Sequence, residues 1–314
     1  MDLLQPQLLI WLFLAFAITL VFFSEAKTQS AASDTVSIDV KAQVKIGSLW
    51  QSFSTQDKLR QASWLALVAA LGGAIVLERL KVPTAIFFVV VFSLIFLLKD
   101  GQKRWQKLVR HIVVILLSLA LSLHLLPGFD NWQLLDQVEV SAQSRPFSLY
   151  LNLDKPLVFF LLLLLLPDLT GRYRLNFTAS IKLLLISMVA IGVISALAVQ
   201  AGFVALEWKI PQWWWLFVFN NLLFTCVIEE AFFRGYLQRL LSQKAGPVVA
   251  LILVAVLFGL AHLGGGWLYA LLAAFAGLFY GYLYWRSGSL LLAVAGHFAV
   301  NIVHLFALTY PALR

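Results

Sequence analysis

The sequence predicts an all-α, polytopic transmembrane helical bundle with about nine or ten spans. Hydrophobic residues make up 61% of the 314 residues and charged residues only 12%, whereas a soluble domain carries about a quarter charged residues. The apolar residues are also gathered into runs long enough to cross a bilayer, which takes about 20 residues. A mean hydropathy of +0.89 is therefore explained by contact with lipid, and a soluble enzyme or binding domain is excluded.

The apolar runs define the expected spans in order along the chain. They lie near residues 7–23, 62–78, 84–98, 109–126, 156–167, 180–202, 213–240, 247–263, 267–285 and 289–308. The run at 156–167 is short and the run at 213–240 is long, which leaves the count at nine or ten. The first run ends in Ser24-Glu25-Ala26, which is similar to a signal-peptide cleavage site. Because Asp2 and no basic residue precede that run, we expect a retained helix.

Composition divides the chain into two parts. Residues 1–126 are expected to hold four accessory transmembrane helices with almost no polar residues inside the spans, and their polar stretch 27–61 is expected to be a flexible linker. Residues 150–308 hold the polar groups that are unusual in membrane helices, and such groups mark functional sites. We therefore expect the function to reside in residues 150–308.

Charged residues in the connections between spans predict the orientation of the chain. The formal net charge is +8, and the stretch 99–110 is the most basic connection, so it is expected in the cytoplasm. The connection 128–155 is acidic on balance and is expected on the opposite side. Continued alternation places Arg234, Arg239 and Lys244 at the cytoplasmic end of their helix. The chain contains no basic domain, so a nucleic-acid partner is not expected.

Two adjacent carboxylates stand out in the run at 213–240. Residues three or four apart share one face of a helix, which groups Asn221, Thr225 and Glu229 into a polar stripe and pairs Glu230 with Arg234. An ion pair at a solvated helix end explains the second acid but not the first, which has no basic residue at that spacing. Different surroundings of two neighbouring acids allow one to act as a base while the other stays ionised.

The last two motif-bearing helices supply histidines. His262 follows Phe258-Gly259-Leu260-Ala261, and His297 stands four residues before Asn301, so that both polar side chains share one helix face. A single histidine in a membrane helix is often only a hydrogen-bonded core residue. His304 lies close to the end of its span and is interpreted as interfacial, outside the predicted site.

Small residues indicate how these helices approach one another. Ala273, Gly277 and Gly281 recur at every fourth position, a pattern that lets membrane helices pack closely. Cys226 is the single cysteine, which excludes an internal disulfide and a thiolate metal cluster. It is interpreted as a small packing residue.

Acids, histidines, an asparagine and an arginine in one membrane domain indicate hydrolysis. A carboxylate can take a proton from water that a histidine orients, and imidazole or amide N–H groups can stabilise the oxyanion on a scissile carbonyl. The same residues suit a divalent metal such as zinc, with Glu229, His262 and His297 as candidate ligands. The HExxH motif is absent, and the sequence does not separate the metal-dependent from the metal-free mechanism.

Three short motifs follow in order on successive helices, Glu229-Glu230-x-x-x-Arg234, Phe258-x-x-x-His262 and His297-x-x-x-Asn301. Together they resemble the motifs of the CPBP family of intramembrane proteases, also called the CAAX prenyl endopeptidase or abortive-infection family. The resemblance covers residues 150–308 as an intramembrane catalytic domain, and no motif position departs from it. Residues 1–126 lie outside it.

The resemblance implies a role for each motif residue. Glu229 would be the general base that activates water, helped by His262. The remaining residues would complete the site, His297 and Asn301 as oxyanion donors and Glu230 and Arg234 as supports that hold the geometry. The family has been described both as metalloproteases and as glutamate-dependent proteases without metal, so the cofactor stays open between a divalent metal and none.

The expected function is therefore an intramembrane endopeptidase that hydrolyses a peptide bond of a membrane-associated protein or peptide. Its expected partners are the lipid bilayer and that substrate, in a bacterial plasma membrane. Two alternatives stay open. One is a non-catalytic membrane scaffold or immunity factor, and the other is a proton-coupled transporter, for which buried Glu, His and Arg are equally typical.

Overall fold

The computed structural model describes the backbone of residues 5–33, 42–98, 103–171 and 176–314, and the side chains of these residues except 25–33 and 42–56. The chain divides into two compact units. The first comprises Met1–Asn131 and Leu153–Arg172, and the second comprises Trp132–Asn152 and Tyr173–Arg314.

Helices of membrane-spanning length confirm the predicted fold class. Within the described ranges, six helices are long and apolar enough to cross a membrane: Asp57–Val76, Arg104–Ser122, Phe177–Gln200, Trp214–Ala245, Trp267–Ser287 and Leu290–Ala307. Three shorter apolar helices cover Leu8–Ser24, Val82–Leu98 and Pro247–Ala261. The protein is thus an integral, multi-pass, helical membrane protein.

The described residues of the first unit form five helices. They are α1 (Leu8–Ser33), α2 (Ala42–Val76), α3 (Val82–Leu98), α4 (Arg104–Ser122) and α5 (Leu157–Leu165). The side chain of Ser63 in α2 donates a hydrogen bond to the carbonyl of Ala17 in α1 at 2.8 Å, which ties these two helices together. Helices α1 and α2 both extend into the predicted linker 27–61, and its residues 34–41 lie outside the described part of the chain. The division into 1–126 and 150–308 stays a prediction.

Helix α5 is too short to cross a bilayer. Its nine residues extend about 14 Å, less than half of the roughly 30 Å hydrocarbon core. Every residue from Leu157 to Leu163 is buried within the first unit. The apolar run at 156–167 therefore forms a helix buried in protein and not a span, a distinction that hydropathy does not make.

The second unit begins with a β-hairpin that the sequence analysis did not predict. Strands β1 (Trp132–Val138) and β2 (Phe147–Leu151) pair antiparallel, with Trp132 opposite Leu151, inside the connection that was expected to be a loop. The ring of Phe147 lies 5.4 Å from Trp213 and 5.0 Å from Tyr310. These aromatic contacts hold the hairpin on the helices of the same unit.

Five helices form the rest of the second unit. They are α6 (Phe177–Gln200), α7 (Trp214–Ala245), α8 (Pro247–Ala261), α9 (Trp267–Ser287) and α10 (Leu290–Ala307). Helix α7 contains two π-helical stretches, Asn221–Cys226 and Ala231–Gln238, on either side of the short α-helical segment Val227–Glu230. Such stretches are rare and frequently occur at functional sites.

Glycines allow α8 and α9 to approach closely. A Cβ atom on Gly259 would lie 2.6 Å from the carbonyl oxygen of Ala270, and one on Gly277 would lie 3.2 Å from the Cα of Ala255. These contacts are backbone contacts, so a side chain could enter only if the helices moved apart. The close approach predicted from the small-residue pattern is therefore present.

The second unit has two distinguishable ends. At one end, Ala198, Val204, Leu272 and Leu308 form a buried apolar cluster, which brings together the end of α6, the start of α9 and the end of α10. The C-terminal residues continue from there, since Leu308 pairs with Leu206 and Leu313 pairs with Ser144 near the hairpin. We call this the hairpin end.

At the opposite end α7 meets α8 and α9 meets α10. Arg239, Lys244 and Arg286 belong to this end and stand in the last turns of α7 and α9 or just before them. The positive-inside tendency favours the cytoplasm for such an end, and this orientation stays a prediction. Arg234, which was expected at this end, is instead fully buried.

Candidate active site

A buried carboxylate joins α7 to α10. Glu230 Oε1 accepts hydrogen bonds from Arg234 Nη1 at 2.9 Å and from His297 Nδ1 at 2.8 Å. The side chains of Glu230 and Arg234 are 0% exposed and that of His297 is 6% exposed. Buried charges persist only when they are paired and hydrogen-bonded, so these three residues form one interdependent cluster.

Arg234 is held from two further directions. Its Nη2 donates to the carbonyl of Gly277 at 2.9 Å, and the centre of the guanidinium lies 4.6 Å from the ring centroid of Phe258. The carbonyl of Gly277 belongs to the backbone of α9, so this bond joins two helices. The predicted Glu230–Arg234 pair therefore also connects α7 to α8 and α9.

The imidazole of His297 is oriented by an aromatic ring as well as by Glu230. It stacks on Tyr280 with ring centroids 4.5 Å apart and an interplanar angle of 12°. Phe258 meets it edge-on at 5.7 Å. With Nδ1 bonded to the carboxylate and the ring stacked on Tyr280, the imidazole is held in one orientation.

Glu229 and His262 face each other across a more open space. Glu229 Oε2 and His262 Nε2 lie 4.0 Å apart, and their side chains are 17% and 20% exposed. His262 Nδ1 lies 2.7 Å from the carbonyl oxygen of Phe258. Since a carbonyl only accepts, Nδ1 must carry a proton, and in the neutral imidazole Nε2 is then an acceptor. A carboxylate and an imidazole lone pair at this distance suit a shared water molecule.

Asn301 is bonded to α7. Its Nδ2 donates to Asn221 Oδ1 at 3.1 Å and lies 3.6 Å from Cys226 Sγ. The thiol of Cys226 in turn donates to the same Asn221 oxygen at 3.3 Å. Cys226 is buried, as a packing residue should be, and it also takes part in this polar contact.

These side chains surround a cavity of about 420 Å³. This volume lies in the range of pockets that bind small ligands. Its lining includes all three members of the polar stripe, Asn221, Thr225 and Glu229, together with both motif histidines and Asn301. The cavity lies at the hairpin end, because the segment 310–312 also lines it.

The six predicted site residues occupy two layers. Glu229, His262, His297 and Asn301 line the cavity, whereas Glu230 and Arg234 lie behind it, fully buried. Of the expected oxyanion donors, His297 bonds to Glu230 and Asn301 bonds to Asn221. The catalytic roles of these six residues stay predictions.

The predicted metal ligands do not fit a metal in this arrangement. Within the described ranges, no three His, Cys, Asp or Glu side chains are grouped closely enough to hold a metal ion. Glu229 and His262 lie near each other and His297 lines the same cavity, but the three do not form such a group. A zinc-dependent mechanism therefore stays a prediction that this ligand geometry does not support.

Several residues of the site were not found from the sequence. Tyr280 supports His297, and Tyr269 and His304 line the cavity, although His304 was interpreted as interfacial. Tyr310 lines the cavity too, and burial raises the pKa of its phenol above the usual value, so it remains protonated. Tyr280 stands three residues after Gly277, so the sequence already places both on one face of α9. Only the fold shows that this face meets His297.

A comparison with protein families finds a match in the second unit. Residues 211–303 match the family model described as "Rce1-like: Type II CAAX prenyl endopeptidase Rce1-like". The match covers less than a third of the chain but includes all six predicted site residues. No curated protein and no solved structure matches the chain.

Proposed function

We infer that this chain, whose residues 211–303 match the family model of type II CAAX prenyl endopeptidases, is a CAAX-type intramembrane protease that catalyses one specific reaction. Water activated by Glu229 hydrolyses a peptide bond of a membrane-associated protein or peptide. The observation that carries this proposal is the approach of Glu229 Oε2 to His262 Nε2, 4.0 Å apart in the wall of one cavity.

The proposed reaction starts with a water molecule held between these two acceptors. The carboxylate of Glu229 removes one proton from it, and His262 Nε2 accepts the hydrogen bond that orients its oxygen. The oxygen bonds to the scissile carbonyl carbon, and the C–N bond then breaks. The proton taken up by Glu229 passes to the leaving nitrogen, so that one water is consumed and one carboxyl and one amine are formed.

Negative charge on the carbonyl oxygen is stabilised by donors from α10. The amide of Asn301 is a neutral donor in the cavity wall, and it is preorganised by its contact with Asn221. His297 can donate from Nε2 only when both of its nitrogens carry protons, because Nδ1 already donates to Glu230. We propose that it does so as an imidazolium. Loss of one such donor costs an enzyme about 100- to 1000-fold in rate.

Glu230 and Arg234 support this arrangement without touching the substrate. They are fully buried behind the cavity wall, and each contacts a helix other than its own, Glu230 through His297 and Arg234 through Gly277. Their proposed contribution is to hold α7, α9 and α10 in a fixed relation. A site positioned in this way avoids reorganisation during the reaction.

The proposal is tested by Glu229→Gln in purified protein reconstituted into liposomes. The amide keeps the size of the side chain but removes the base, so hydrolysis of a membrane peptide should fall by about 100- to 10,000-fold. The matched control is Glu207→Gln, an acid at the hairpin end that does not line the cavity. Peptides that accumulate with Glu229→Gln in membrane proteomes identify the substrate. Cleavage at the wild-type rate by Glu229→Gln contradicts the mechanism.

A further inference from the structure

Arg145 lies in the wall of the cavity that holds Glu229. It belongs to the connection between β1 and β2, outside residues 211–303, and its side chain is exposed. No motif led to this residue. Its position follows from the fold, because the hairpin is attached to the C-terminal segment that borders the cavity.

The backbone and one side-chain nitrogen of Arg145 hold it in place. Its amide donates to the carbonyl of Ala312 at 2.9 Å, and its Nε donates to the carbonyl of Leu313 at 3.0 Å. A guanidinium has five N–H donors, so four remain on Nη1 and Nη2. Among the described residues, no hydrogen bond from these two nitrogens is found. The guanidinium is thus anchored at one edge while its terminal donors stay available.

Two charged residues of opposite sign line the cavity. Of the described residues that line it, Arg145 is the one permanent cation and Glu229 is the one carboxylate. A carboxylate that enters the cavity is attracted by the first and repelled by the second. The terminal N–H groups of a guanidinium also match a carboxylate in a two-bond geometry that a lysine cannot supply.

We propose that Arg145 is a specificity-determining residue that binds a carboxylate of the substrate peptide and thereby orients the peptide towards Glu229. This inference rests on the proposed function. The carboxylate comes from the C-terminus of the peptide or from an Asp or Glu side chain, and both sources present the same chemistry to the guanidinium.

The test uses three peptides with one apolar sequence and the full-length protein in liposomes. The first has a free C-terminus, the second is amidated, and the third is amidated but carries Asp as its last residue. Arg145→Gln should raise KM for the carboxylate-bearing peptides by about 10- to 100-fold with little change in kcat, because it removes a charge-assisted, two-bond contact. KM for the amidated peptide should not change. Preference of the wild type for the first or the third peptide identifies the source of the carboxylate.

Two further variants separate recognition from a structural role. Arg314→Gln is the matched control, since Arg314 anchors the C-terminal segment through Ser144 and Glu139 but does not line the cavity. It should leave the discrimination between peptides intact. Arg145→Lys keeps the charge without the two-bond geometry and should restore KM only in part.

The results distinguish failure of this inference from failure of the proposed reaction. If Arg145→Gln changes KM equally for all three peptides, or if the wild type does not discriminate among them, the carboxylate site is refuted while cleavage stands. Dissociation constants of the same peptides, measured on Glu229→Gln protein with and without Arg145→Gln, decide the point even if cleavage fails. In that binding assay an unchanged preference for the carboxylate refutes the inference.

Discussion

The buried pair of Glu230 and Arg234 can be tested by removing each charge alone and both together. The variants are Glu230→Gln, Arg234→Met and the double variant. Each single change leaves one charge at a position that is 0% exposed. Breaking a buried pair in this way destabilises proteins by about 3–5 kcal/mol.

The contacts of Arg234 give a similar magnitude. It donates one hydrogen bond to Glu230 and one to Gly277, both at 2.9 Å, and hydrogen bonds to charged groups contribute about 1.5–3 kcal/mol each. Its position over Phe258 adds a cation–π contact, worth about 2 kcal/mol when desolvated. The double variant removes both members of the pair together, so we expect a loss smaller than the sum of the two single losses by at least about 2 kcal/mol.

The assay is equilibrium unfolding in mixed micelles, followed by the fluorescence of the 11 tryptophans. Arg286→Met is the control, because this arginine stands exposed near the end of α9. It should change the free energy of unfolding by less than about 0.5 kcal/mol. Single losses below about 1 kcal/mol, or losses that add within about 0.5 kcal/mol, would refute the reasoning from burial and pairing.

Two other predictions follow from packing around the site. Gly277→Ala should lower the free energy of unfolding by about 1–3 kcal/mol, because its Cβ would lie 3.2 Å from the Cα of Ala255. Gly192→Ala in α6 is the matched control, since its Cβ would have nothing within 4 Å, and it should stabilise the protein by up to about 1 kcal/mol. Equal effects of the two variants in the micelle assay contradict this prediction. Tyr280→Leu should lower kcat by up to about ten-fold, since a stacked aromatic pair with His297 is worth about 0.5–1.5 kcal/mol. Tyr280→Phe keeps the ring and should retain the wild-type rate, and loss of activity in that variant would instead indicate a role for the hydroxyl.

Local spacing along the sequence predicted those parts of the site that lie within one helix. Glu230 and Arg234 are four residues apart and form the expected ion pair. The stripe of Asn221, Thr225 and Glu229 lines one cavity, even though a π-helical stretch covers its first part. Residues four apart stay close to one face over two turns in an α-helix and in a π-helix, so the π-helical stretch does not break the stripe.

Contacts between distant parts of the chain could not be predicted in the same way. His297 bonds to Glu230 across 67 residues, and Asn301 bonds to Asn221 across 80 residues. Nothing in the periodicity of one helix determines which face of another it meets.

Hydropathy also did not predict whether a segment contacts lipid or protein. The leucine-rich α5 is buried in protein although its composition is that of a span, and the hairpin of β1 and β2 lies in a connection for which no secondary structure was predicted. Both errors have one cause, since hydropathy reports the preference of a side chain for an apolar neighbour and not whether that neighbour is lipid, helix or strand.

The two adjacent acids of α7 lie in different environments, one in the cavity and one in the buried cluster of Glu230, Arg234 and His297. Successive residues of an α-helix point about 100° apart, which directs Glu229 to the cavity and Glu230 to the buried cluster. Proton uptake and release during the proposed reaction thus take place at Glu229, on the cavity face of the helix. The charges of Glu230 and Arg234 are buried away from bulk water and from the substrate, so their electrostatic field at the site can stay constant through every step of turnover.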